Sequence, residues 1–256
     1  MTAIVASDID GTLTGDRPAL DRLREGLARK RAAGELYLVL STGRRLQQVR
    51  DGMIHEGLPE ADAVICQVGT EIYLPPFDDS SQPMDAWRER LLADYSREEA
   101  LAFLEGIDGL VMQPAEYNTE LKTSAYLDRC PDPEQAAGEI RRRIGRHADR
   151  YQVVWSSGRD LDILPAASGK GRAIRFLVTQ RGLDPEQVVV AGDTGNDASM
   201  FREFRRGVCV ANAQPELIEA CRALGDGRVW FAASSYAAGV EEGLIRFGVL
   251  PPDAGA

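Results

Sequence analysis

Short runs rich in β-branched residues alternate with stretches whose apolar residues recur at helical spacing, and this alternation restricts the fold more than any other feature of the chain. Ile4-Val5-Ala6-Ser7 reads as a buried strand, followed by a helix from about Pro18 with Leu20, Leu23 and Leu27 on one face and Gly34 as its stop. Leu36–Leu40 is the next strand, then Ser41-Thr42-Gly43-Arg44 and a helix to about Gly57. Ala63–Cys66 is a third strand, and Glu71–Leu74 pairs nearby. Near the other end come a helix over Lys170–Gln180, the strand Val188–Ala191 and a helix after Gly195. The strands Val208–Val210 and Val229–Phe231 and a closing helix Ala237–Phe247 follow. Such an order predicts an α/β fold: a Rossmann-like core with a mostly parallel sheet and helices on both faces.

The middle of the chain breaks this rhythm. Pro75 to Pro83 is a polar, proline-rich boundary. Beyond it the pattern predicts helices around Asp85–Asp94 and Arg97–Glu105, strands at Leu110–Met112 and Lys122–Leu127, a helix over Pro133–His147, and strands at Tyr151–Trp155 and Leu161–Leu164. Residues 77–164 therefore read as an inserted α+β module, and 1–76 with 165–256 as the core it interrupts. Trp87, Leu91 and Tyr95 follow helical spacing and are expected in the core of the insert.

Composition narrows the function. With 44% apolar residues among 256 the chain is no disordered segment, and no apolar run approaches the roughly 20 residues of a membrane helix. The N-terminus meets acids at once and lacks a basic region, unlike a signal peptide. Thirty basic against forty acidic residues give a net charge of −10, which disfavours nucleic-acid binding. The basic run Arg141-Arg142-Arg143 with Arg146 and His147 then reads as a solvated helical face rather than an RNA site. Four scattered cysteines without CxxC spacing suit a reducing cytoplasm, and two distant histidines leave any metal to oxygen ligands.

Ligands of open α/β sheets collect at the carboxyl ends of strands, so the polar segments after the predicted strands are candidate site loops. Asp8-Ile9-Asp10-Gly11-Thr12 places two carboxylates on extended backbone toward one side while Ile9 faces the other. An EF-hand loop would need Gly sixth and Glu twelfth, where Gly11 stands fourth and Ala19 twelfth. An ordinary turn explains Gly11 but not the paired acids. Ser41-Thr42-Gly43-Arg44 is either a helix cap, the simpler account, or an anion pocket. Lys170 lies in no P-loop, since Leu164 and Gly171 occupy the positions that motif gives to Gly and Ser or Thr. A lysine at a helix start opposes the helix dipole, a conflict that a bound phosphate resolves. Gly192-Asp193-Thr194-Gly195-Asn196-Asp197 carries more acids than a turn requires. If Asp8, Asp10, Asp193 and Asp197 converge, each close pair repels by about 4 kcal/mol at about 4 Å and an effective dielectric near ~20. Lys170 alone does not offset that, whereas Mg²⁺ would, and a carboxylate not tied up by the metal is then available as a nucleophile.

In this order, the four motifs resemble those of the haloacid dehalogenase (HAD) superfamily of phosphatases, and the insert between the second and third resembles that superfamily's C2B caps. Val68–Tyr73, Ser156–Pro165 and Asn212–Leu217 carry a narrower likeness, over nearly the whole chain, to sucrose-6-phosphate phosphatases. Leu121–Leu127 looks like their substrate-facing strand, with Lys122 at its lysine; Glu120 stands where proline is frequent. With Gly192–Met200, that departure also makes the chain similar to mannosylfructose-phosphate phosphatases.

The resemblance implies a cytoplasmic phosphatase in which Asp8 is the nucleophile and Asp10 the general acid and base. Mg²⁺ would be held by Asp8, the Asp10 carbonyl, Asp193 and, directly or through water, Asp197. Thr42, Gly43 and Lys170 would hold the phosphoryl group under a cap that contacts the sugar. Arg44, Asn118, Lys122, Asp160 and Asn196 are the substrate-side candidates. From the sequence alone Asn118 and Lys122 are solvated strand residues, and Asp160 and Asp162 share a strand face that is either exposed or lines the site. The expected reaction releases sucrose from sucrose 6-phosphate. Mannosylfructose phosphate or another sugar phosphate is the alternative, with a sugar phosphomutase and a non-catalytic sugar-phosphate sensor as further readings. The implied partner is this small molecule, with neither nucleic acid nor membrane; oligomeric state is left open.

Overall fold

The apolar runs become strands because they are covered on both sides, as a parallel sheet between helix layers requires. In the computed structural model, which describes residues 2–225 and 227–252, they open the chain as β1 (Ala3–Ser7), α1 (Arg17–Ala32), β2 (Leu36–Ser41), α2 (Leu46–Asp51), β3 (Ala63–Cys66) and β4 (Glu71–Tyr73). Residues 1 and 253–256, at the ends of the expected core, lie outside the described residues. The middle comprises α3 (Asp85–Leu92), α4 (Arg97–Ala102), β5 (Val111–Met112), β6 (Thr123–Tyr126), α5 (Pro133–Ile144), β7 (Tyr151–Ser156) and β8 (Asp160–Pro165). The remainder is α6 (Lys170–Gln180), β9 (Val188–Gly192), α7 (Ala198–Glu203), β10 (Arg206–Cys209), α8 (Pro215–Ala223), β11 (Val229–Phe231) and α9 (Tyr236–Arg246).

Seven strands form the main sheet in the order β11-β10-β9-β1-β2-β3-β4, parallel except for β4 against β3. Central β1 pairs Ser7 with Leu40 of β2 on one side and with Ala191 of β9 on the other. Asp8, Ser41–Gly43 and Asp193 therefore leave three adjoining strands at the same end. α1 shows how local signals shape the flanking layer: Asp16 caps it by accepting from the Ala19 N–H at 3.1 Å, and Leu20, Leu23 and Leu27 are buried. α2 continues as a π-helical turn, Gly52–Glu56, which the sequence pattern does not distinguish from α-helix. α8 was not foreseen either, because only Leu217 and Cys221 of its residues are buried and a two-residue stripe carries little periodic signal.

The second sheet is antiparallel, β5-β6-β8-β7, and lies wholly between β4 and α6 in the chain. α5 covers one face with Ala136, Ala137, Ile140 and Ile144. Its arginines are engaged locally: Arg142 and Arg143 pair with Glu139, and Arg143 also donates to the carbonyls of Phe103 and Glu105. Tyr95 is buried inside this module against Tyr151, with ring centroids 5.4 Å apart. Trp87 departs from expectation. It stacks on Phe176 of α6 and its Nε1–H donates to Gly69 O at 3.1 Å, so it seals the joint between insert and core. Helical spacing identifies residues that share a face, not what lies opposite that face. Among the described residues, no helix is long and apolar enough to cross a membrane.

The entry into α6 is held by close backbone packing. A Cβ on Gly171 would lie 2.2 Å from Ser199 O, and the Gly171 N–H donates to Ser199 Oγ at 3.1 Å. Gly171→Ala should push α6 away from α7 and lower stability by about 1–3 kcal/mol in urea unfolding. An unchanged midpoint would show that this contact does not set the position of Lys170.

Candidate active site

Asp8 continues β1 by donating its N–H to Ala191 O at 3.0 Å, which seats it beside the β9 end. Gly11 permits the tight return of this loop: its φ is +75°, and a Cβ there would lie 2.3 Å from Asp193 Oδ2. Thr12 Oγ1 donates to Asp193 Oδ1 at 2.9 Å, and Asn212 Nδ2 donates to Gly11 O at 2.7 Å. Asp197 accepts from the N–H groups of Asp193 and Thr194 at 2.9 and 3.1 Å, folding its carboxylate back toward the strand. From α6, the fully buried Lys170 donates to Asp8 Oδ1 and Asp197 Oδ1, both at 2.6 Å. Asp8, Asp193 and Asp197 each offer an oxygen within 4.8 Å of the others.

One ammonium does not neutralise three buried carboxylates. Burial, then repulsion from Asp197, raises the Asp8 pKa well above the ordinary aspartate value despite Lys170. Burial and Asp197 likewise push Asp193 up to about 6. Lys170 itself stays charged, because Asp197 and Asp8 outweigh the burial that opposes its charge. An all-oxygen, electron-rich donor set with unbalanced negative charge fits a hard divalent cation such as Mg²⁺. The carboxylate of Asp10 is not in this group. It is more than half exposed and is turned to Arg44, whose Nε and Nη2 donate to it at 2.9 and 2.6 Å.

Asp8 and Asp193 line the floor of a cavity of about 770 Å³, within the size range of small-molecule sites, and Asp197 is buried behind them. Gly43 lines it, while Thr42 is buried just behind, its Oγ1 accepting from the Arg44 N–H at 3.1 Å. The roof is the helix-free face of the second sheet. Lys122 is 3% exposed and no solvated strand residue: its Nζ donates to Gln67 Oε1 at 3.2 Å and lies 3.4 Å from Asp162. Asp160 and Asp162 both line the cavity, held by Gln113 at 3.0 Å and Ser124 at 2.5 Å. Asn196 also lines it, with a buried Oδ1 that has no hydrogen-bond partner.

Asn118 is not brought to the cavity. Its Nδ2 donates to Gln113 O at 2.9 Å and its Oδ1 accepts from the Ser124 N–H at 2.8 Å, so it braces the loop before β6 and does not line the cavity. Arg44 lines the cavity, yet its N–H groups are occupied by Asp10, Glu56 and Gln48 O. The sequence reading passed over Gln113, Tyr117, Tyr126, Ser156, Gln214 and Glu56, all at the cavity wall. Alternation along β6 and β7 was a usable signal for Tyr126 and Ser156; Glu56 had none.

A raised carboxyl pKa means that the folded, metal-free protein binds protons more tightly than the unfolded chain. Stability in chelator should therefore fall as pH rises from the ordinary aspartate range through about 6, the value for Asp193. Mg²⁺ should restore it at pH ~7 and have little effect at pH ~4.5, where Asp8 and Asp193 already hold protons. Melting curves at the two pH values, with and without Mg²⁺, check this; an equal shift at both would contradict it.

A sequence profile of the sucrose-6F-phosphate phosphohydrolase family matches residues 1–248. Mannosylfructose-phosphate phosphatase of Agrobacterium fabrum is 33% identical over 250 residues, covering 97% of this chain and 98% of that protein. Sucrose-phosphatase 1 of Nicotiana tabacum is 30% identical over 257 residues; the match takes in 97% of this chain and 60% of the tobacco protein. The sucrose-phosphatase of Synechocystis sp. PCC6803, solved in complex with sucrose and phosphate, matches with a TM-score of 0.89 and 34% identity, over 97% of this chain and 99% of that one. The chain belongs to the sucrose-6F-phosphate phosphohydrolase family, within the HAD superfamily.

Proposed function

We propose that the protein is a Mg²⁺-dependent phosphatase that hydrolyses a sugar phosphate, sucrose 6-phosphate above all, to the free sugar and phosphate. The observation that carries this reading is Asp8 at a strand end, bonded to a buried lysine at 2.6 Å, beneath a polar sheet face. In the first step an Asp8 oxygen bonds to phosphorus, the bond from phosphorus to the sugar oxygen breaks, and Asp10 gives that oxygen its proton. In the second, water attacks phosphorus, Asp10 takes the water's proton, and the bond to Asp8 breaks to release phosphate. Mg²⁺, held by Asp8, the Asp10 carbonyl, Asp193 and Asp197, would supply charge neutralisation at the phosphoryl oxygens.

Lys170 pairs with those oxygens and lowers the cost of charge on Asp8, which the metal would complete, while the Gly43 N–H and Thr42 lie at the strand end where the phosphoryl group enters. Residues 77–164 form the cap in this reading. Lys122, Asp160, Asp162 and Asn196 present donors and acceptors to sugar hydroxyls, and the sheet above excludes bulk water. Its four free, buried cysteines suit a reducing compartment, and a cytoplasmic location is part of the proposal. Mannosylfructose phosphate is the second reading, favoured by the 33% identity to the Agrobacterium enzyme over nearly its full length.

Phosphate release should be fastest with sucrose 6-phosphate in a panel that includes mannosylfructose phosphate and hexose and glycerol phosphates. A larger kcat/KM for mannosylfructose phosphate would replace the first reading with the second. Release without a bisphosphate activator separates hydrolysis from a mutase, and turnover of any kind separates it from a sensor. Asp8→Asn should abolish release, a drop of at least roughly 10⁴-fold, while the melting temperature holds or rises because one buried charge is gone. Near-normal release by that variant would overturn the assignment.

A further inference from the structure

Three side chains at the rim of the cavity form a bracket. Arg44 uses Nε and Nη2 to reach both oxygens of Asp10, at 2.9 and 2.6 Å. Its Nη1 and Nη2 donate to the two oxygens of Glu56 at 3.0 and 2.8 Å, and Nη1 also donates to Gln48 O at 3.4 Å. Each N–H of the guanidinium thus has an acceptor in the protein, and none remains for a phosphoryl or sugar oxygen. A planar cation gripped in two places by carboxylates has a fixed orientation. Arg44 is 15% exposed, against 59% for Asp10 and 44% for Glu56, so the cation is the seated member of the three.

The surroundings are shaped to seat it. A Cβ on Gly52 would stand 3.0 Å from Arg44 Nη1 and 2.5 Å from Leu58 Cδ1. Gly52 also opens the π-helical turn that ends on Glu56, and such wide turns recur where a helix must place a functional side chain. Arg44 is the side chain's only hydrogen-bonding partner of Asp10 among the described residues, so whatever orients Arg44 orients Asp10.

We infer that Glu56 is a positioning residue for proton transfer: it fixes Arg44, and Arg44 fixes the direction of the Asp10 carboxylate. This rests on the proposed role of Asp10 as the group that protonates the leaving oxygen. Without Glu56, Arg44 is held on one side only, and the Asp10 carboxylate loses its bearing. The loss falls on substrates whose leaving oxygen needs a proton and spares those whose leaving group departs as a stable anion.

The test uses the full chain with Mg²⁺ and measures first-turnover rates for sucrose 6-phosphate and p-nitrophenyl phosphate. The proteins are the parent, Asp10→Asn, Glu56→Ala and Glu56→Gln. Glu56→Ala should slow the sugar phosphate by roughly 10- to 100-fold with KM nearly unchanged, and leave p-nitrophenolate release close to the parent rate. Glu56→Gln, which keeps one acceptor oxygen and the side chain's shape, should fall between. Equal losses on both substrates, or no loss on either, would overturn the inference. If Asp10→Asn shows the leaving-group dependence and Glu56→Ala does not, Glu56 alone is misassigned. If Asp10→Asn lacks that dependence, the role of Asp10 falls and takes the inference with it.

Discussion

A buried ammonium between two carboxylates is the contact around which the rest of this protein is arranged. Lys170 lies 2.6 Å from both Asp8 and Asp197, with no exposure of its own. Burying an ion costs several kcal/mol unless it is paired, so neither side of this contact is tolerable without the other. The strand register brings the acids together, and α6 delivers the cation from the far side of the insert. Glycines stand where the two must nearly touch: Gly171 against Ser199, Gly192 against Asp197, Gly11 against Asp193. The negative charge left after this pairing is what a further cation would balance, and the attack on phosphorus proposed for Asp8 starts from it.

The insert contributes a second, different chemistry. Where the core concentrates charge, the open face of the cap sheet distributes hydrogen-bonding groups, with Lys122 balanced by Asp162 and Gln67. A neutral polyhydroxyl group matches such a face, and a dianionic phosphate matches the floor. In the proposed reading the sugar faces the sheet and the phosphoryl group faces the acids and Lys170.

Much of this was legible in the sequence because the relevant signals are local. Buried strands followed by polar loops, a capped amphipathic α1 and four spaced motifs place Asp8, Asp193, Asp197 and Lys170 with no knowledge of tertiary contacts. What could not be read depends on partners across space. Asn118 carries sugar-binding functionality but is consumed by the backbone of its own loop. Trp87 shares a helix face with Leu91 yet meets Phe176 of the core. Arg44 was marked as a substrate contact from its motif, and only the π-helical turn reveals that Glu56 and Asp10 already hold it. Lys122 and Asp162, read singly, are surface-like charges; antiparallel pairing of β6 with β8 turns them into a buried couple.

The joints across the cavity differ in kind. Along the rim, insert and core meet through Gln48 with Tyr117, Gln67 with the Glu116 carbonyl, and the Ser157 N–H with Glu216, at 3.0, 3.3 and 3.1 Å. Behind them, Trp87 is packed on Phe176 with almost no exposure. Rim hydrogen bonds are each worth about 0.5–1.5 kcal/mol net and are readily exchanged for water, whereas exposing a packed tryptophan is far costlier. Of the contacts between insert and core, the indole is therefore the one that would be costliest to separate. Charge takes part in the same joint, since Arg50 of the core pairs with Asp79 of the insert and Lys122 of the insert donates to Gln67 of the core, so its polar contacts are sensitive to ionic strength where the indole is not.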